Sequence, residues 1–189
     1  MDFFLTGPGR ALIFVLLTAF FTTVSWRPLH NPRCHGYYRY FVFEGILLLF
    51  VSNLPHWFEN KFSLQQRISW FLLTSSLGLV LHSLAMLKIH GGNRGTTSNP
   101  ENFAFENTSE LVRRGIYRYI RHPMYTSLLL LAWGILLKQV TLANVIIAVI
   151  STAFMAIAAQ KEELENLAYF GQDYRDYAKE TRRFIPFLF

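Results

Sequence analysis

Five stretches of the chain lack lysine and arginine and are dominated by apolar residues. They cover residues 11–26, 40–60, 68–87, 122–137 and 139–160. A helix needs about 20 apolar residues to cross a hydrocarbon core about 30 Å thick, and the third and fifth stretches reach that length. Shorter spans are accommodated when the bilayer thins or when flanking basic side chains extend toward the interface. The pattern predicts an all-α integral membrane protein with about five transmembrane helices.

Composition agrees with this prediction and excludes other classes. The 189 residues are 52% hydrophobic and 16% charged, whereas an ordinary soluble domain has about 25% charged residues. The apolar content also excludes a disordered chain. Cys34 has no second cysteine to pair with in the chain, which excludes a disulfide scaffold. The length suits one domain over residues 1–189.

The basic residues predict the orientation of the chain in the membrane. If five spans cross, fourteen of the eighteen lysines and arginines share the side of the C-terminus. Basic loops stay on the cytoplasmic side, so we expect a cytoplasmic C-terminus, in the bacterial cytoplasmic membrane or the endoplasmic reticulum. The net charge of +6 is explained by an anionic leaflet and requires no nucleic acid.

The two halves of the chain differ in character. Residues 1–87 are typical of a helical scaffold, and residues 88–189 carry the candidate chemistry. The second half begins with a long polar connection, 88–121, and connections of this length are often functional. The sequence contains no CxxC pair, HExxH motif or Walker-type loop, so we expect no metal site.

The candidate site lies at the cytoplasmic ends of the last two spans. Pro123 favours the start of a helix, whose free amides and partial positive charge suit an anion. The short connection near Lys138 predicts an antiparallel hairpin, which places Glu162 and Glu163 beside His122. Such a site suits a zwitterion. Alternatively, His122 and Tyr125 are interfacial anchors that only cap the helix.

Residues 169–186 follow these glutamates and mix aromatic residues with alternating charges. This mixture suits an amphipathic helix lying on the membrane surface. It either closes over the site or forms a plain interfacial tail.

Four motifs together resemble a known family. They are Leu-Val-x-x-Gly-x-Tyr (111–117), Arg-His-Pro-x-Tyr (121–125), Glu-Glu (162–163) and Phe-Gly-x-x-Tyr-x-x-Tyr (170–177). This series is similar to that of the isoprenylcysteine carboxyl methyltransferases, part of a wider group with the membrane phospholipid methyltransferases. The resemblance runs from about Asn102 to Pro186, and the first three spans match only in number and character.

The resemblance implies a cytoplasm-facing pocket for S-adenosylmethionine and a lipophilic methyl acceptor that reaches it from the lipid bilayer. It implies no metal, and the sequence shows no evident general base. The cofactor-binding residues that the resemblance implies are Asn102, Ser109, Glu110, Leu111, Val112, Tyr117, His122, Pro123, Met124, Tyr125 and Glu162. The predicted hairpin adds Glu163 to this set.

One position departs from the family. Where the isoprenylcysteine enzymes have an arginine one turn before the first glutamate, thought to hold the substrate carboxylate, this chain has Ala158. We therefore expect an acceptor other than a prenylcysteine carboxylate, unless Arg182 or Arg183 replaces that cation. A phospholipid amine, a thiol and another small lipid stay open as acceptors.

Two other functions are weighed against methyl transfer. A sterol-type membrane reductase would bind NADPH and use Arg113, Arg114 and Arg118 for its 2′-phosphate, but the paired glutamates argue against this. A non-catalytic transporter or scaffold would show broken helices or inverted repeats, and neither is visible in the sequence.

Overall fold

The computed structural model describes residues 6–92 and 99–185, and in these ranges the regular structure is helical apart from one isolated bridge between Ile120 and Arg182. The α-helices are α1 (Gly7–Val24), α2 (Trp26–Leu29), α3 (His35–Asn53), α4 (Leu64–His90), α5 (Pro123–Leu136), α6 (Leu142–Phe170) and α7 (Gln172–Glu180). Three 3-10 turns lie between them, at Leu54–His56, Ala104–Glu106 and Gly115–Arg118. Each of the five predicted stretches falls largely on one of α1, α3, α4, α5 and α6, so the all-helical membrane fold is confirmed.

The five long helices differ in how well they suit a bilayer. By length and composition, α1, α4 and α6 can each cross a membrane. With 14 residues, α5 is about 21 Å long and is shorter than a usual hydrocarbon core. Helix α3 carries Arg39 and Glu44 and begins before the stretch predicted for it. It ends at Asn53 because Pro55 follows in the next turn.

Helix starts follow from local chemistry. The side-chain hydroxyls of Ser63 and Thr141 accept hydrogen bonds from the amides of Gln66 and Asn144, each at 3.2 Å, and so cap α4 and α6. Pro123 is the first residue of α5, as predicted. Helix α6 extends past its apolar part, so the glutamates that follow this part are also helical.

The bundle consists mainly of two packed pairs, α3 with α6 and α4 with α5. A Cβ at Gly45 would collide with the Ser151 hydroxyl, so α3 and α6 approach closely. The hydroxyl of Ser76 donates to the backbone oxygen of Ser127 at 2.7 Å and joins α4 to α5. The predicted contact between α5 and α6 exists, but each packs more extensively on another helix. Small residues at these contacts determine which helices pack together, and the hydrophobic pattern alone does not reveal the pairing.

Candidate functional site

A cavity of about 310 Å³ lies at the end of the bundle where α3 and α5 begin and α4 ends. This volume is at the lower end of the range of ordinary ligand pockets. The first half of the chain supplies part of the wall, through Arg39, Phe43, Val80, Leu84 and Leu87. The second half supplies most of the polar lining: Glu106, Thr108, Tyr117, Arg121, His122, Tyr125, Glu162, Asn166, Tyr174 and Tyr177.

His122 is the residue that caps α5 at the cavity. Its amide donates to the backbone oxygen of Arg183 at 3.1 Å, and its side chain is 1% exposed. Nδ1 lies 3.7 Å from Glu162 Oε1 and Nε2 lies 3.4 Å from Glu163 Oε1. Pro123, Met124 and Tyr125 follow and line the cavity, so the positive end of the α5 dipole is directed at this space.

The two adjacent glutamates have different surroundings. Glu163 accepts from Arg121 Nε at 2.8 Å and from Arg183 Nη2 at 2.7 Å, and its carboxylate joins the α5 start to the C-terminal segment. Glu162 lines the cavity. Within residues 6–92 and 99–185, its only ion-pair partner is His122. Glu162 is therefore the carboxylate available to a ligand, and Glu163 is engaged by two arginines.

A buried ion pair that sequence analysis missed forms another wall. Arg39 pairs with Glu106, its guanidinium lies 3.9 Å from the ring centroid of Phe103, and its side chain is 5% exposed. Burial raises the pKa of Glu106, but Arg39 and His35 outweigh it, so the pKa lies below its ordinary value. A buried arginine requires a partner, yet Glu106 lies far along the chain, and nothing in the sequence identified it.

His35 extends this ion pair away from the cavity. Its Nδ1 lies 2.7 Å from Glu165 Oε2, and its Nε2 lies 3.5 Å from Glu106 Oε2. Glu165 is on α6, one turn beyond Glu162, so the network connects the start of α3 to the polar end of α6. The network therefore ties the part of α6 that carries Glu162 to the start of α3.

Tyrosines and apolar residues close the cavity from the C-terminal side. The Tyr177 hydroxyl donates to the backbone oxygen of Tyr117 at 2.7 Å and fixes α7 over the cavity. Burial raises the pKa of both phenols, so they stay neutral at physiological pH. Leu111 and Val112 form an apolar wall nearby. The sequence motif contained Tyr174 and Tyr177, but the list of expected cofactor residues did not include them.

Four of the expected cofactor residues lie outside this cavity, namely Asn102, Ser109, Glu110 and Glu163. Asn102 lines a neighbouring polar cavity of about 400 Å³, which shares Glu106 and Glu162 with the first one. Ser109 and Glu110 are exposed, and the Glu110 amide donates to the backbone oxygen of Gly91 at 2.9 Å. The structure thus gathers Leu111, Val112, Tyr117, His122, Pro123, Met124, Tyr125 and Glu162 around one space.

The residues expected near the acceptor also lie elsewhere. Ala158 is fully buried in the helix-packing core. Arg182 is exposed, and Arg183 pairs with Glu163. The arginines that do line the cavity are Arg39 and Arg121, each paired with a glutamate.

The cavity combines a free carboxylate, the amide end of a helix and an apolar wall. Arg39 pairs with Glu106 and Arg121 pairs with Glu163, so among the described residues Glu162 is the lining carboxylate that has no arginine partner. Such a space can hold a molecule that carries a cationic group, an anionic group and a flat apolar ring. Within residues 6–92 and 99–185, no group of three or more His, Cys, Asp and Glu side chains is arranged to hold a metal ion.

Comparisons with known proteins point to one family. Residues 66–173 match the model of the phospholipid methyltransferase family. A methanethiol S-methyltransferase of Crocosphaera subtropica is 32% identical over 38% of this chain and 28% of its own length. A probable protein-S-isoprenylcysteine O-methyltransferase of Oryza sativa subsp. indica is 26% identical over 77% of each chain. A protein-S-isoprenylcysteine O-methyltransferase of Rattus norvegicus is 29% identical over 73% of this chain and 51% of its own length.

The extent of these matches differs between relatives. The chain spans only about a quarter of the length of the methanethiol S-methyltransferases it matches. No solved structure matches the chain. The family model covers more than half of the chain, including all of α5 and α6 and nearly all of α4. This chain belongs to the phospholipid methyltransferase family.

Proposed function

We propose that this protein transfers a methyl group from S-adenosylmethionine to a lipophilic acceptor at the membrane. One observation carries the proposal: Glu162, His122, the first turn of α5 and the Leu111–Val112 wall surround a single cavity. All of them lie within residues 66–173, the region that matches the family.

Each part of this cavity suits a different group of the cofactor. The amide end of α5 is suited to the carboxylate. Glu162 is suited to the ammonium group or the ribose hydroxyls, since charge-assisted hydrogen bonds are the strong ones. Leu111 and Val112 offer an apolar surface for the adenine ring.

The chemistry requires little beyond alignment and shielding from water. When bound, the cofactor supplies an activated methyl group on a sulfonium. The residues of the cavity hold donor and acceptor in line, which lowers the entropic part of the barrier. Tyr117, Tyr174 and Tyr177 exclude water, and a water-poor site favours a reaction in which charge disperses.

The acceptor stays a neutral or amine-bearing lipid, or a thiol, in this proposal. The relatives are named for a thiol and for an isoprenylcysteine. In this chain, however, Ala158 stands where the isoprenylcysteine enzymes have an arginine, and Arg182 and Arg183 do not line the cavity. Arg39 and Arg121 do line it, but each is already paired with a glutamate. A carboxylate there would be desolvated without a partner.

The NADPH-binding alternative has less support. It would use Arg113, Arg114 and Arg118, which are exposed and do not line the cavity. The distribution of basic residues supports the orientation that we propose. In it, the cavity faces the cytoplasm, and the membrane is the bacterial cytoplasmic membrane or the endoplasmic reticulum.

Transfer of radiolabel tests the proposal. The purified protein in vesicles is given methyl-labelled S-adenosylmethionine with, separately, dodecanethiol, phosphatidylethanolamine and a farnesylated cysteine. We expect label in the thiol or the amine lipid and little in the farnesylated cysteine. Robust turnover of the farnesylated cysteine that survives Arg182→Ala and Arg183→Ala would overturn the acceptor assignment. Lack of transfer to all three acceptors would count against the methyltransferase itself.

A further inference from the structure

A second, apolar cavity of about 620 Å³ lies along the side of the bundle, between α1 and α4. Leu17 and Phe21 of α1 form one wall, and Leu77 of α4 forms part of the other. Phe43 and Leu128 line this cavity and also line the first one. The two spaces therefore meet at these two side chains. We call the second cavity the α1–α4 groove.

The groove opens toward the surroundings of the bundle. Helix α1 packs mainly on α3 and α2. Leu17, Trp70 and Leu77 line the groove and are 36%, 37% and 59% exposed. Because these helices suit a bilayer, the open side of the groove faces lipid.

The lining of the groove is almost entirely apolar and suits a hydrocarbon chain. Within the described residues, no charged side chain lines it, and Thr74 supplies its only hydroxyl. That hydroxyl already donates to the backbone oxygens of Trp70 and Phe71, at 2.9 and 3.1 Å. A polar head group would find no partner here, whereas an alkyl or isoprenoid chain needs none.

Two tryptophans close the end of the groove that is remote from the first cavity. The rings of Trp57 and Trp70 lie edge to face, with centroids 6.4 Å apart. Lys138 Nζ lies 3.8 Å from the Trp70 ring centroid and 3.2 Å from Gln66 Oε1. Lys138 Nζ also lies 5.2 Å from the Trp57 ring centroid, so one cation contacts both indole rings. Along α5, seven residues separate Leu128 from Ile135 near this end, which is about 10 Å.

We propose that the α1–α4 groove holds the hydrocarbon chain of the methyl acceptor and that Trp57 and Trp70 limit the length of that chain. The chain lies in the groove, and the reacting head group projects past Phe43 and Leu128 toward the first cavity. The boundary that the two cavities share at these residues supports this occupant over a bilayer lipid bound at random. The inference rests on the proposed function and extends it to residues outside the cofactor cavity.

Photocrosslinking shows where the hydrocarbon chain of the acceptor binds, and it does not require turnover. The probes are S-alkyl cysteines with octyl, dodecyl or hexadecyl chains that end in a diazirine, in phosphatidylcholine vesicles. We expect adducts on groove residues near Trp57 and Trp70 for the longest chain that fits. Adducts spread evenly over the outer faces of α1 and α4 would overturn the proposal.

Leu77→Trp and Leu81→Trp form a matched pair. Both leucines are on α4, at 59% and 58% exposure, but only Leu77 lines the groove. We expect Leu77→Trp to reduce groove labelling at least fivefold and Leu81→Trp to leave it unchanged. Equal labelling in the two variants would contradict the proposal.

S-adenosylhomocysteine binding, measured in parallel, separates this inference from the proposed function. Unchanged binding in Leu77→Trp with lost labelling supports the groove and shows that the variant folds. If the wild type labels in the groove but binds no S-adenosylhomocysteine, the groove binds a hydrocarbon chain, but the methyltransferase proposal and the assignment of that chain to a methyl acceptor both fail.

Trp70→Ala tests the length limit. The groove of about 10 Å fits an octyl chain. Removal of the indole lengthens it, so we expect the ratio of dodecyl to octyl labelling to rise severalfold. Trp70→Phe keeps most of the ring and is expected to keep the wild-type ratio. An unchanged ratio in Trp70→Ala would show that the tryptophans set no limit.

Discussion

Glu162 and Glu163 are neighbours in the sequence and both lie near His122, but among the described residues only Glu163 is paired with arginines. Glu163 is held by Arg121 and Arg183, and Glu162 is directed into the cavity with His122 nearby. A helix turns about 100° per residue, so adjacent side chains on α6 cannot share one function. Only the first of the pair is positioned to meet a ligand.

The free carboxylate and its imidazole neighbour predict a loss of cofactor affinity on substitution. We expect Glu162→Ala or His122→Ala to weaken S-adenosylhomocysteine binding tenfold or more, since a hydrogen bond to a charged group contributes about 1.5–3 kcal/mol. His56→Ala and Glu59→Ala remove a similar pair, 2.8 Å apart, at the other end of the bundle. These controls are expected to bind like the wild type. Wild-type affinity in both cavity variants would show that these residues are structural.

The buried pair of Arg39 and Glu106 predicts a stability effect that depends on pH. Glu106→Gln leaves a buried guanidinium without its counter-charge, and we expect it to cost about 3 kcal/mol near neutral pH. The pKa of Glu106 is lowered from 4.5 in the folded state. Its stabilisation is therefore present above about pH 4.5 and is lost as the pH falls through the lower folded value.

Thermal unfolding of the wild type and Glu106→Gln at neutral and at strongly acid pH checks this prediction. The difference between their unfolding midpoints should shrink in acid. A difference that stays constant across this range would mean that the carboxylate charge is not what stabilises the site.

At the scale of elements, the C-terminal segment is tied to the start of α5. The amides of Arg121 and His122 donate to the backbone oxygens of Arg182 and Arg183, at 2.7 and 3.1 Å. The Glu163 carboxylate adds two arginine contacts to the same junction. Helix α7 precedes this junction and covers the cavity, so we expect its order to depend on Glu163.

Hydrogen exchange tests that dependence. We expect Glu163→Gln to accelerate amide exchange in residues 172–185 while exchange in α4 stays unchanged. Glu180→Gln, at an exposed position of the same segment, is the matched control. Equal protection of residues 172–185 in wild type and Glu163→Gln would mean that the backbone bonds alone hold the segment.

The sequence predicted the positions of the helices better than it predicted which helices pack together. Apolar stretches and Pro123 located the five long helices, because periodicity and helix-start chemistry are local. The preference of α6 for α3 depends on Gly45 facing Ser151, a close approach that no local pattern reveals. Likewise, motif spacing identified Glu162 and His122, but Arg39 and Glu106 meet only through the tertiary fold.

At the scale of the whole molecule, the charge distribution predicts which end faces the cytoplasm. Lys61 lies at the end remote from the cavity and Lys179 at the cavity end, and both are exposed. Lys138 is 3% exposed and so is a poor labelling site. Burial raises the pKa of the Cys34 thiol to about 11, so the native cysteine reacts little at neutral pH.

Cysteine labelling on intact cells checks the orientation. We expect Lys61→Cys to react with an impermeant maleimide added outside and Lys179→Cys to react only after the cells are opened. The reverse pattern would place the cavity on the other side of the membrane.

The central claim is that the cavity at the start of α5 binds S-adenosylmethionine. Calorimetric titration of the purified protein in detergent with S-adenosylhomocysteine, and separately with NADPH, tests it most directly. The account predicts saturable binding of S-adenosylhomocysteine that Glu162→Ala weakens, and no binding of NADPH. Binding of NADPH alone would contradict it.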